Sequence, residues 1–269
     1  MSWFDIGVNL SNKRLPLQGV LERAQGAGVS KMIAIGASVE QSAEALLLAR
    51  QHQPIVFSTA GVHPHYAADV KPDYMAQLFT LSHSKEVVAI GECGLDFNRN
   101  LSPQDVQLAV FEAQLELAVE VQKPVFLHER DAFAQQIALL EKYRDKLVGG
   151  VAHCFTGSLA QMQAYLELDL HIGITAWLCD PKRGEELRQA VRHLPLNRLL
   201  LETDAPYLIP KTLDKAARRS TSGNNEPCFL PYIAASLAPL MDISVAQLEQ
   251  HSFQNACGLF KLNEAADEL

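Results

Sequence analysis

Val87-Val88-Ala89-Ile90-Gly91-Glu92-Cys93-Gly94-Leu95-Asp96 is the stretch on which the fold turns. Its first half is apolar at every position instead of at alternate ones, the pattern of a parallel strand covered on both faces. It then runs directly into a carboxylate, a cysteine, a glycine and a second carboxylate. A buried strand that delivers chemistry at its C-terminal end belongs to an α/β architecture. Similar runs recur at 3–8, 31–37, 55–60, 124–128, 150–154, 171–175 and 198–202, making eight with 87–92. Helix-like segments at 39–53, 72–82, 131–146, 159–168 and 181–194 separate them. Ser102-Pro103-Gln104-Asp105 predicts a helix start with Ser102 as the cap, and Leu108, Phe111, Leu115 and Ala118 then follow on one helical face. Strands alternating with helices imply βαβ units, and eight of them predict a closed (β/α)8 TIM barrel in place of an open sheet. A polar loop, 211–225, and two more helical patterns at 231–240 and 245–260 complete the chain.

The totals agree. At 269 residues the chain is close to the roughly 250 typical of one such barrel, and a single domain over 1–269 is expected. Five scattered cysteines with no CxxC pair argue against a disulfide framework or a zinc-thiolate site. No basic stretch leads into an apolar run near Met1, and no run of about 18 apolar residues occurs, so no secretion signal or membrane span is expected, and the cytoplasm is the simplest compartment. A net charge of −8 makes the surface a poor general magnet for phosphates, so any nucleic-acid chemistry must depend on a local basic rim or on bound metal.

Chemistry collects at the strand ends. His63 and His65 follow the third strand, Glu92 and Asp96 the fourth, His128 and Arg130 the fifth, His153 the sixth and Asp204 the eighth. In a barrel these ends converge on one face. Histidine nitrogen and carboxylate oxygen together make a mixed metal-ligand set. One such residue has an ordinary structural explanation; five strand ends of one barrel do not.

These landmarks also carry a resemblance. Phe4-Asp5-Ile6-Gly7-Val8-Asn9-Leu10, Gly61-Val62-His63-Pro64-His65, Ala89-Ile90-Gly91-Glu92-Cys93-Gly94-Leu95-Asp96, Pro124-Val125-Phe126-Leu127-His128, His153-Cys154-Phe155-Thr156-Gly157, Glu202-Thr203-Asp204-Ala205-Pro206-Tyr207 and Asn225-Glu226-Pro227 occur in order across nearly the whole chain. Together they resemble the TatD family of metal-dependent deoxyribonucleases, within the amidohydrolase-like barrels. The resemblance implies phosphodiester hydrolysis, often 3′–5′ exonuclease action on single-stranded DNA and possibly RNA. It also implies a divalent cation, magnesium first, with manganese or zinc as alternatives.

Carried onto this sequence, the resemblance makes Glu92, His128, His153 and Asp204 the metal ligands. Asp204, Glu92 and His63 become the catalytic set, and His63, His65 and Arg130 the groups facing substrate. Asp96 is read as orienting a ligand. Two departures stand out. Gly7 and Asn9 occupy positions where many relatives place metal-binding histidines, which weakens a second metal and shifts preference from zinc toward magnesium or manganese. Asn224 stands where relatives commonly carry a basic residue, with Arg218 and Arg219 as nearby substitutes. Lys182, Arg183, Arg218 and Arg219 could rim the mouth, or form an ordinary solvated face. Trp177 and Tyr207 could stack a base, although core or loop packing is the better explanation of both, and Cys93 and Cys154 are read as buried spectators. A monomer is expected. The rival readings are a hydrolase of small amides or esters on the same barrel, and a binding protein with a decayed site.

Overall fold

The computed structural model describes residues 2–262. Eight parallel strands follow one another around a single sheet in chain order: β1 (Trp3–Val8), β2 (Val29–Ala34), β3 (Val56–Ala60), β4 (Val87–Asp96), β5 (Val125–Arg130), β6 (Gly150–Ala152), β7 (His171–Ile174) and β8 (Leu199–Leu201). The ring closes where Val8 bridges Ala205, Asn9 N–H donates to Ala205 O at 2.8 Å, and Asp204 N–H donates to Gly7 O at 2.9 Å. The expected barrel is the observed one. The helices α1 (Leu17–Gly26), α2 (Val39–Gln51), α3 (Tyr74–Ser82), α4 (Gln104–Val121), α5 (Phe133–Tyr143), α6 (Leu159–Glu167) and α7 (Glu185–Ala190) connect the strands. Then come α8 (Lys215–Ser220), α9 (Leu230–Leu237) and α10 (Val245–Leu259).

Two apolar layers result. The larger lies between the strands and the surrounding helices. The smaller fills the barrel with Phe4, Ile6, Ile33, Phe57, Val88, Phe126, Val151 and Leu200, and continues into Ala256 and Phe260 at the end of α10. Phe4, near the start of β1, stacks 6.1 Å from Phe253 and 6.3 Å from Phe260. The N-terminal end of the barrel is therefore plugged, and the C-terminal mouth is the end left for a site. No single described helix is long and apolar enough to cross a membrane.

The helix boundaries correct three expectations. Ser102 does not cap α4, which starts after Pro103 without a side-chain cap. Its hydroxyl instead donates to His65 O at 3.2 Å and accepts from Ala68 N–H at 3.0 Å, pinning the turn that carries His65. The helix expected over 181–194 is only α7 followed by a single tight turn, Val191–His193. Asp180 accepts the N–H groups of Lys182 and Arg183 and so holds that segment in a turn. The loop 211–225 contains α8, capped by Asp214 through Ala217 N–H at 2.8 Å; an aspartate just ahead of Lys-Ala-Ala-Arg-Arg was the available signal.

Candidate active site

The glycines of the opening stretch place Glu92. Gly94 has φ +139, and a Cβ there would collide with the His128 carbonyl, so only glycine lets β4 run this close to β5. The β4–β5 register shifts between Gly91 and Cys93, leaving Glu92 outside the ladder and turned into the mouth. Its Oε1 lies 3.0 Å from His128 Nδ1, 3.5 Å from His63 Nε2 and 3.9 Å from His153 Nε2. One carboxylate oxygen thus faces imidazoles from three strand ends. His63, Glu92 and His128 each place one ligand atom within 4.8 Å of the others.

Around this hub the groups divide. His65 Nε2 lies 2.7 Å from Asp96 Oδ2, and His128 Nε2 lies 3.5 Å from the same oxygen. On the other side, His153 Nε2 lies 3.8 Å from Asp204 Oδ1, which also accepts from Asn9 Nδ2 at 3.1 Å. His63 Nδ1 accepts the His65 backbone N–H at 3.1 Å, so neutral His63 carries its proton on Nε2, facing Glu92. His153 rests 4.7 Å above the Phe126 ring, on the apolar layer that fills the barrel.

Glu202 is the functional residue that the sequence reading did not single out. It is fully buried at the end of β8. Its Oε2 lies 2.5 Å from His153 Nδ1, and its Oε1 accepts Cys154 N–H at 2.5 Å. With Nδ1–H donating to the carboxylate, Nε2 is the nitrogen left toward Glu92 and Asp204. Gly7 makes this possible: a Cβ there would lie 2.6 Å from Glu202 Oε2 and 3.2 Å from His153 Nδ1. A Cβ on Gly173 would collide with the other oxygen. Gly7 therefore supplies room for a carboxylate behind His153, a role distinct from the missing ligand inferred from the sequence.

The charge balance follows. Burial would raise Glu92, but the imidazoles of His63, His128 and His153 outweigh it and hold the carboxyl well below the usual range. Asp96 is lowered in the same way: burial opposes, and His128, the Arg99 N–H and His65 overcome it. Burial works against protonated His128, yet Asp96 and Glu92 push it up to about 9; for His153 the opposing carboxylates are Glu202, Glu92 and Asp204, and the value is about 10. Asp204 is pushed up to about 7, chiefly by burial, with Glu92 and Glu202 adding to it against His153. Burial pushes His63 down to about 3.

A cluster of carboxylates that recruits protons onto two imidazoles is a site that fits a divalent cation. The donor set supports the same fit: imidazole nitrogens of His63 and His128 and a carboxylate oxygen of Glu92 converge within 4.8 Å of one another. Because ligating imidazoles must shed their protons, cation binding is expected to release protons at neutral pH, and affinity should rise as pH rises toward 9. Calorimetric titration with magnesium or manganese in buffers of different ionisation enthalpy measures that release directly.

The cleft over the hub has a volume of about 550 Å³. Asn9, His63, His65, Glu92, His128, His153, Cys154 and Asp204 all line it, so six of the seven proposed site residues meet there. Arg130 is the seventh and does not line it; its guanidinium lies 5.6 Å over the Trp177 ring. Asp5, in the stretch that ends at Asn9, does not line the cleft; it accepts from Thr203 N–H at 2.9 Å and Thr203 Oγ1 at 2.5 Å across the β1–β8 seam. Of the proposed rim cations, Arg183 pairs with Asp180 and Arg218 donates to the carbonyls of Leu213 and Pro210. Burial pushes both Cys93 and Cys154 up as thiols; Cys93 is buried as expected, whereas Cys154 is only partly buried and lines the cleft.

Comparison with known proteins gives the family. The family model for TatD-related DNase matches residues 4–261. The "3′-5′ ssDNA/RNA exonuclease TatD" of Pantoea vagans is 47% identical over 261 residues, covering 96% of this chain and 99% of the relative. The protein of the same description from Klebsiella pneumoniae is 46% identical, covering 97% and 98%. Among solved structures, a TatD homologue from Escherichia coli superposes with a TM-score of 0.87 at 28% identity, covering 96% of this chain and 98% of its own. A family match across the barrel, including every strand end that feeds the Glu92 hub, identifies the chain as a member of the TatD-related deoxyribonuclease family.

Proposed function

We propose that this chain is a divalent-metal-dependent exonuclease that removes nucleotides from the 3′ end of single-stranded DNA or RNA. The observation that carries the reading is the Glu92 hub, one carboxylate oxygen faced by His63, His128 and His153 at the floor of an open cleft. The relatives described as 3′-5′ ssDNA/RNA exonucleases support the substrate and polarity. Glu92, His128, His153 and Asp204 would hold the cation. The absence of imidazoles at the end of β1, where Gly7 and, just beyond the strand, Asn9 stand, favours magnesium or manganese over zinc. When bound, such a cation supplies positive charge that polarises a phosphodiester and acidifies water.

The chain's own residues supply the rest. Asp204 faces the cleft beside His153, and the Asn9 amide, donating to its Oδ1 at 3.1 Å, orients it. His63 stays neutral and presents Nε2–H beside the hub, a donor for a non-bridging phosphate oxygen. His65, tied to Asp96, lines the same wall. Glu202 fixes the ring of His153.

The test is digestion of 5′-labelled single-stranded DNA with magnesium or manganese. A descending ladder that EDTA abolishes, with circular single strands resistant, is the expected result. No degradation, or degradation indifferent to EDTA, would contradict the reading.

A further inference from the structure

The loops after β1 and β8 meet at the rim of the cleft. Asn12 and Tyr207 both line it, Asn12 Nδ2 donates to Tyr207 Oη at 3.3 Å, and Tyr207 is 47% exposed. Two residues after Asn12, exposed Arg14 is fixed twice. Its backbone N–H donates to Asn12 Oδ1 at 3.0 Å. Its Nε and Nη2 both donate to Asn224 Oδ1, at 2.9 and 2.7 Å, while Asn224 Nδ2 donates back to Arg14 O at 3.1 Å. The guanidinium is thereby held over one face of the Tyr207 ring, 5.7 Å from its centre, which leaves the opposite face for a base.

The partner of this guanidinium is a neutral amide. Arg183 and Lys211 are paired with Asp180, and Arg188 with Glu185. Arg14 has no carboxylate partner among the described residues, so its charge is not neutralised. A guanidinium has five N–H donors in a fixed fork. Asn224 occupies the Nε/Nη2 edge. The Nη1/Nη2 edge, which presents two parallel N–H groups, has no acceptor among the described residues. Such an edge matches the oxygens of a phosphate, and an exposed aromatic ring beside it matches the face of a base.

We propose that Arg14 and Tyr207 form a nucleotide subsite, with one base of the strand stacked on Tyr207 and a non-scissile phosphate across the free fork of Arg14, and with Asn12 and Asn224 as the residues that position them. The subsite rests on the nuclease reading and adds to it how an acidic protein holds a polyanion. Its charge is local, and its recognition of the base is indifferent to sequence, because every base has a stacking face.

The experiment is steady-state digestion of a single-stranded oligodeoxythymidylate by the magnesium-loaded protein at several salt concentrations. Arg14→Ala and Tyr207→Ala should each raise KM about tenfold, with the smaller change in kcat. Arg14→Ala should also flatten the salt dependence of log KM by about 0.7, one phosphate contact on a single strand, and Tyr207→Ala should not. Tyr207→Phe keeps the ring and should recover most of the loss. Arg192→Ala, an exposed charge away from the cleft, controls for net charge and should behave as the parent. Unchanged KM in both alanine variants, or losses confined to kcat and thermal stability, overturns the subsite alone. A parent protein that neither binds nor degrades the oligonucleotide overturns the nuclease reading and the subsite with it.

Discussion

Glu92→Gln is expected to lower kcat for phosphodiester hydrolysis by about a thousandfold or more while the barrel still folds. The substitution keeps the shape of the side chain and removes its charge. That charge is what lowers the Glu92 carboxyl among three imidazoles and what, with Asp96, raises His128. An amide at this position cannot hold a cation as a carboxylate does. It must also present either an oxygen or an NH2 group to His63, His128 and His153, which one carboxylate oxygen now faces together. The fold should survive because Glu92 belongs to the polar layer of the mouth and not to the apolar filling of the barrel. Circular dichroism and thermal unfolding check the fold, and turnover on single-stranded DNA checks the site. A folded Glu92→Gln protein within tenfold of the parent would refute the hub.

The second large effect is expected one layer out. Glu202→Gln should weaken metal binding about 10- to 100-fold, the range seen when the partner of a ligating histidine is lost. The carboxylate accepts from His153 Nδ1 with one oxygen and from Cys154 N–H with the other. A glutamine has one acceptor oxygen, so its NH2 group must face one of these donors. His153 then loses either its orientation or its support. Gly7→Ala should produce a comparable loss without replacing a titratable group, because the new Cβ would stand 2.6 Å from Glu202 Oε2 and displace it. Calorimetric metal affinity is the readout, and partial recovery of activity at raised magnesium separates weakened binding from a collapsed barrel. A Gly7→Ala protein that binds metal like the parent would show that Glu202 has another place to go.

Gly7 and Glu202 meet through the fold, and nothing in the chain order of the two residues announces it. The barrel was legible because strands buried on both faces leave continuous apolar runs, and the ends of those runs announced Glu92, His128, His153 and Asp204. Glu202 ends the eighth run but was not assigned a function, because a run apolar at every position does not say which face its last residue takes. Gly7 was legible as a missing ligand but not as room for a carboxylate from β8, since that meeting exists only once β1 and β8 close the ring. Arg130 shows the converse. It lies two residues beyond His128 on the same strand, yet its guanidinium rests on Trp177, a residue of the loop after β7. Arg14 and Asn224 were unreadable as a pair for the same reason: two loops far apart in the chain meet only at the mouth.

The most direct test of the central claim is an anomalous-difference map from crystals soaked in manganese. The account predicts a peak within coordination distance of the Glu92 carboxylate and of at least one of His128 and His153. A peak that avoids Glu92, or an active crystal form whose manganese lies elsewhere, would contradict it.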